Sequence, residues 1–198
     1  PAASMEVARG GHTAVSLDNG DVLVVGGSNN GPFLAEAELF SAATSIWQSA
    51  GSLHRARSSP TVIALPNERV LVAAGDNGTT TEILDLGVAG SGTSSSSSSS
   101  GGTSSSSSGG TSSSSGGTGV SGNWVFGPPM NRGHQGALGA LLPSGAAMVV
   151  DRDATEILDP TTNTWSLLPG TVGAGLASAI ATLADGRVLV AGGRGSDK

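Results

Sequence analysis

Three arginines recur at one place in the pattern of this 198-residue chain: Arg9, Arg57 and Arg132 each stand shortly before a run of alternating apolar residues. A guanidinium is a rigid fork of donors, so a partial ring of them could receive a carboxylate, a phosphate or an acidic sugar through paired hydrogen bonds. The structural alternative is that each arginine caps carbonyls of its neighbouring loop. A second charged group, Asp151-Arg152-Asp153, stands where related stretches carry glycines, either as a local departure that makes a site or as degeneration of one repeat. Asp76 and His134 complete the candidate binding residues.

Other chemistries find little support. His12 and His134 hold similar places ahead of their strands, but metal ligands must gather about 2.0–2.2 Å from one ion, and repeated positions stand farther apart. No Asp/Asn-rich calcium loop occurs, so neither a metal nor a cofactor is expected. Cysteine is absent, which excludes disulfides and thiolate chemistry. Glycine-rich stretches end strands without opening helices, so a phosphate-loop reading fails, and no nucleophile elbow supports a Ser/His/Asp set. A net charge of −6 with a single lysine, Lys198, argues against nucleic acid. No apolar run approaches the roughly 18 residues of a membrane span.

The elements that must position these residues follow one phrase, Asp18-Asn19-Gly20-Asp21-Val22-Leu23-Val24-Val25-Gly26-Gly27, in which a turn leads into a β-branched run ended by glycines. It returns at 66–75, 143–150 and 184–193, and four copies mark a repeat protein. In the first unit, residues 12–17, 22–25, 35–40 and 46–48 read as four antiparallel strands. The second offers 61–65, 70–74, 81–85 and 123–125, the third 136–142, 147–150, 155–159 and 164–166, and the fourth only 177–183 and 188–191. Gly-rich turns between short Val/Leu runs favour an all-β chain. A four-stranded sheet cannot bury both faces alone, so neighbouring sheets are expected to stack.

The second unit also carries an insertion, roughly 87–119, made almost wholly of Ser, Gly and Thr. Such a tract cannot bury enough apolar surface to offset its backbone entropy, so disorder is expected. It reads either as an inert expansion or as an O-glycosylated tether.

The double glycine after the second strand, Glu38, Glu82 and Glu156 on the third, Trp47, Trp124 and Trp165 on the fourth, and their fixed order resemble the kelch-repeat β-propeller family, within the galactose-oxidase-like superfamily. The family's tyrosine is absent, which suggests a divergent, bacterial branch. The resemblance implies a single all-β segment over 1–198, with blades near 12–52, 58–128, 133–169 and a partial one at 176–193, about three and a half in all. It implies structural roles for Gly26, Gly27, Gly75, Gly192, Gly193, the three glutamates and the three tryptophans, the latter in the seams between sheets. It also implies that loops joining second to third strands and blade to blade share one face, where ligands bind. Galactose oxidase-like chemistry needs copper, tyrosine and a cysteine–tyrosine crosslink, and this chain has neither residue. The expectation is therefore a non-catalytic, extracellular or cell-surface module for a protein or glycan, completed by further blades of its parent or by another copy. The alternatives are a piece of a secreted carbohydrate-active enzyme whose catalytic residues lie outside the chain, and a self-assembling structural repeat.

Overall fold

The computed structural model describes residues 3–87, 122–169 and 179–192. Among them there are fourteen strands and no helix. The first sheet is formed by β1 (Thr13–Ser16), β2 (Val22–Val25), β3 (Leu34–Ser41) and β4 (Ile46–Arg57). The second contains β5 (Thr61–Leu65), β6 (Arg69–Ala73), β7 (Glu82–Asp85) and β8 (Asn123–Phe126). The third contains β9 (Leu138–Leu141), β10 (Ala147–Val150), β11 (Thr155–Asp159) and β12 (Thr164–Leu167). A hairpin of β13 (Ala179–Thr182) and β14 (Val188–Ala191) follows. Every sheet is an antiparallel meander in chain order.

The strands follow the sequence reading closely, with one difference. β4 runs to Arg57 rather than stopping near residue 48, because Leu34 and Glu36 pair with Arg57 and Ser52 across two register shifts. The long loop after β2 leaves enough of β3 to support that extension.

Alternation along β6 explains why the sheets stack. Val70 and Val72 pack into a core with Leu23, Val25 and Leu39 of the first sheet, whereas Leu71 and Ala73 pack with Ala147, Val149 and Leu158 of the third. A strand with a period of two and apolar residues at every position must be covered on both faces. Fully burying a Val or Leu side chain contributes about 1.5–3 kcal/mol, so these two seams supply much of the driving force.

The first strands neighbour one another in order, β1 beside β5, β5 beside β9 and β9 beside β13. Threonines tie them together: Thr13 Oγ1 donates to Pro60 O at 2.6 Å, and Thr61 Oγ1 to Ala137 O at 2.8 Å. At the outer strands the tryptophans do the same work. Trp124 Nε1 donates to Ala50 O, Trp165 Nε1 to Pro128 O and Trp47 Nε1 to Ala3 O, each at 2.9 Å. Trp124 and Trp165 are buried, and Trp47 is half-buried.

The glycines after β2 and β6 do more than end strands. Gly75 has φ +79, and a Cβ there would lie 2.7 Å from Ser58 O of the strand-to-strand linker beside it. Gly26 and Gly27 likewise have positive φ and press on Arg57 O and Gly10 O. Gly192, also at positive φ, follows β14, while Gly193 lies outside the described residues, as does the insertion beyond Gly87. No helix among the described residues is long and apolar enough to cross a membrane.

Candidate functional site

Glu38, Glu82 and Glu156 sit on the third strands of their sheets and are buried, at 2 %, 0 % and 0 % exposure. A buried carboxylate has to be fully hydrogen-bonded, and each one here takes two consecutive backbone N–H groups from the stretch of chain that leads into its own sheet, which for Glu82 is the end of β4. Glu38 accepts from Glu6 and Val7 at 2.7 and 3.2 Å, and Glu82 from His54 and Arg55 at 2.6 and 3.1 Å. Glu156 accepts from Asn131 and Arg132 at 2.8 and 2.9 Å. His54 adds its ring, with Nδ1 3.0 Å from Glu82 Oε2, and stacks at 4.6 Å on exposed Phe126.

A cationic or imidazole side chain completes each anchor. Arg9 Nη2 donates to Glu38 Oε1 at 2.6 Å, and its Nη1 to Gly26 O and Glu36 O. Arg57 Nη2 donates to Glu82 Oε1 at 3.3 Å, and its Nη1 to Ala74 O and Thr80 O. Both side chains are 0 % exposed. Neither guanidinium is therefore offered to a ligand, and for these two residues the loop-capping alternative describes the geometry. Asp76 belongs to the same internal set: it lies 3.3 Å from Arg57 Nη1 and accepts from Thr80 Oγ1 and Gly78 N.

Arg132 is not the third member of this series. Counting from the apolar residue that opens each linker (Met5, Leu53, Met130), the place of Arg9 and Arg57 falls to His134. Arg132 lends only its backbone N–H to Glu156, and its side chain is exposed. His12 does not match His134 either, since it immediately precedes β1, where Pro60 and Ala137 stand in the other sheets. Residue type suggested both equivalences; spacing from the linker's first apolar residue gives the right ones. Asn131, whose Nδ2 reaches Glu156 Oε2 and Trp165 O, was legible by the same count.

His134 is fully buried, and its Nε2 lies 3.0 Å from Glu156 Oε1. An imidazole is too short to reach on to the loop carbonyls as an arginine does. Asp151, in the place of Gly26 and Ala74, meets it instead, with Oδ2 2.9 Å from Nδ1 but off the axis of a good hydrogen bond. Asp151 Oδ1 also accepts from Asp153 N and Ala154 N, closing a tight loop over 151–154 whose residues keep ordinary negative φ. The charged triplet therefore compensates for His134, and glycine is not needed there. Arg152 and Asp153 project into solvent. Burial pushes the Glu156 carboxyl up, but the Asn131 backbone and side-chain amides, the His134 ring and the Arg132 N–H together outweigh it and hold the group below its ordinary range.

The loop face thus joins some candidates and separates others. Arg132, His134 and Asp151 share one neighbourhood with Arg152 and Asp153 on its rim. The second sheet's loop touches it through Met130 N to Thr79 O at 2.8 Å, and a Cβ at Gly133 would lie 3.0 Å from Asn77 O. Arg9 anchors the first sheet elsewhere. Among the described residues no three His, Asp or Glu groups are arranged to hold a metal ion; the His134 ring places its two carboxylates on opposite sides.

No family model and no curated protein matches the chain. Among solved structures it is similar to a novel fungal alcohol oxidase with catalytic diversity among the AA5 family, in complex with copper, at a TM-score of 0.53 and 16 % identity. The match covers 80 % of this chain and 30 % of that one. The likeness is one of fold.

Proposed function

We propose that the chain is a segment of a kelch-type β-propeller, three blades and two strands of a fourth, that acts as a non-catalytic binding module for a protein or glycan. The observation that carries this reading is the set of buried glutamate anchors. They fix the linkers and the β2–β3-type loops, so the exposed Arg132, Arg152 and Asp153 stand on a rigid platform where the second and third sheets meet. Further blades, from the same parent or another copy, complete the ring in this reading, and an extracellular setting suits a glycan ligand. Fold alone does not fix function.

The test is retention of the intact chain on acidic glycan and protein arrays. Retention that falls about tenfold in Arg132→Ala/Arg152→Ala supports the reading. Absent retention, or retention indifferent to both arginines, sinks it. A second reading, a piece of a carbohydrate-active enzyme, is favoured by the similarity to a copper-containing oxidase. Without Tyr or Cys in this chain, it requires catalytic residues contributed from outside. Copper-dependent oxidation of sugar alcohols by a longer form carrying more blades would favour that version.

A further inference from the structure

Two cavities lie at matching places on the end of the sheets opposite the linkers. One sits between the first and second sheets, with a volume of about 130 Å³. The other sits between the second and third, at about 240 Å³. The repeat relates them: Leu17 directly follows β1 and Leu65 ends β5, and Asp21 and Arg69 pair back to them. Their charge is opposite. Asp18, Asp21 and Glu68 surround the smaller cavity, whereas the larger is lined by no acid and by one cation, Arg69, whose register partner on the neighbouring strand is Asp85. Glu68 and Arg69 are adjacent in the chain yet line different seams, so the turn at 66–69 sorts charge between them.

Arg69 also differs from its counterparts. Asp21 is held by Asn19 Nδ2 at 3.0 Å and by Ala42 N, and Arg187 by Asp185 at 2.7 Å. In the turn before Arg69 the residue matching Asp185 is Asn67, and among the described residues the Arg69 guanidinium makes no side-chain hydrogen bond or ion pair. It stands half-buried beside a floor of Leu65, Ile83 and Leu158, with Ser144 and Asn163 at the mouth. An unpaired guanidinium at the edge of an apolar hollow suits a ligand that brings one carboxylate and a compact apolar body. Inorganic phosphate would leave the floor uncovered, and a volume below that of drug-sized sites limits the body to about one ring.

We propose that this seam is a binding site for a small apolar monocarboxylate, with the acid group paired to Arg69 and the body against Leu65, Ile83 and Leu158. The site is on the opposite end from the loop-face platform and does not depend on that reading. Benzoate is the probe, with benzamide as its uncharged isostere, titrated into the intact chain by ligand-observed NMR. Benzoate is expected to bind with a Kd on the order of 1 mM and benzamide about tenfold more weakly. Arg69→Gln should erase that preference, Ser144→Phe at the exposed mouth should block both ligands, and Arg187→Gln should change neither. Equal binding of the two ligands, benzoate binding that survives both Arg69→Gln and Ser144→Phe, or no benzoate binding at about 10 mM would overturn the proposal.

Discussion

Asp151 Oδ2 lies 2.9 Å from His134 Nδ1, and together these two residues replace an arginine and a backbone carbonyl that the other two complete sheets use for the same purpose. The third sheet therefore keeps the anchor while changing the chemistry that makes it.

That exchange predicts coupling. His134→Arg alone places a large cation where Asp151 has closed the loop, and Asp151→Gly alone leaves the turn without its side-chain acceptor. Each single variant should lose about 1–3 kcal/mol. The double variant should recover part of that loss, with a coupling of about 0.5–3 kcal/mol in a denaturant double-mutant cycle. Strict additivity would show that the two positions are independent.

Acid stability should depend on Glu156. Its folded pKa lies below the ordinary 4.5, so the unfolded chain takes up this proton first as pH falls. The contribution is complete above about pH 4.5 and is lost as pH drops through the lower folded value. Urea melts of the wild type and Glu156→Gln should therefore differ most near neutral pH and converge as the pH falls through the acid range. Asp159 and Asp185 are also lowered, chiefly by the Thr161 N–H and the Arg187 side chain, but both variants share them, so they cancel from the difference.

The tryptophans should rank by burial. Trp124→Ala and Trp165→Ala open buried seams and should each cost about 3–5 kcal/mol. Trp47→Ala should cost less, because its ring is only half-buried and its carbonyl partner, Ala3, lies in the segment ahead of the first sheet. Equal losses at all three would contradict the seam geometry.

Glycine substitutions separate close approach from mere flexibility. Gly75→Ala combines φ +79 with a Cβ 2.7 Å from Ser58 O and should destabilise by more than about 1 kcal/mol. Gly10→Ala meets nothing within 4 Å and has no positive φ, so its effect should stay within about 0.5 kcal/mol. Thermal melts of the two variants give the comparison directly.

Strand positions were legible because alternating and continuous apolar runs report burial on one face or two, and Val22–Val25 and Val188–Ala191 are such runs. The order of Glu and Trp within each unit was legible for the same reason, since each recurs at a fixed distance. The anchor partners were harder to read. Arg132 matches Arg9 and Arg57 in type but sits two residues early, and a buried histidine supported by an aspartate carries no obvious likeness to a guanidinium bonded to carbonyls. The internal use of Arg57 was hidden because the carbonyls it meets, Ala74 O and Thr80 O, have no side-chain signature. The cavity beside Arg69 was invisible in sequence, since it arises from three turns, at 66–67, 144–145 and 160–163, that only sheet stacking brings together.

Each glutamate anchor has a directional consequence. The groups that hold Glu82, from His54, Arg55 and Arg57, all precede it in the chain, as do those that hold Glu38 and Glu156. During synthesis, the groups that hold each glutamate have therefore already been made when its strand emerges, while the outer faces of that sheet stay uncovered until the next sheet follows.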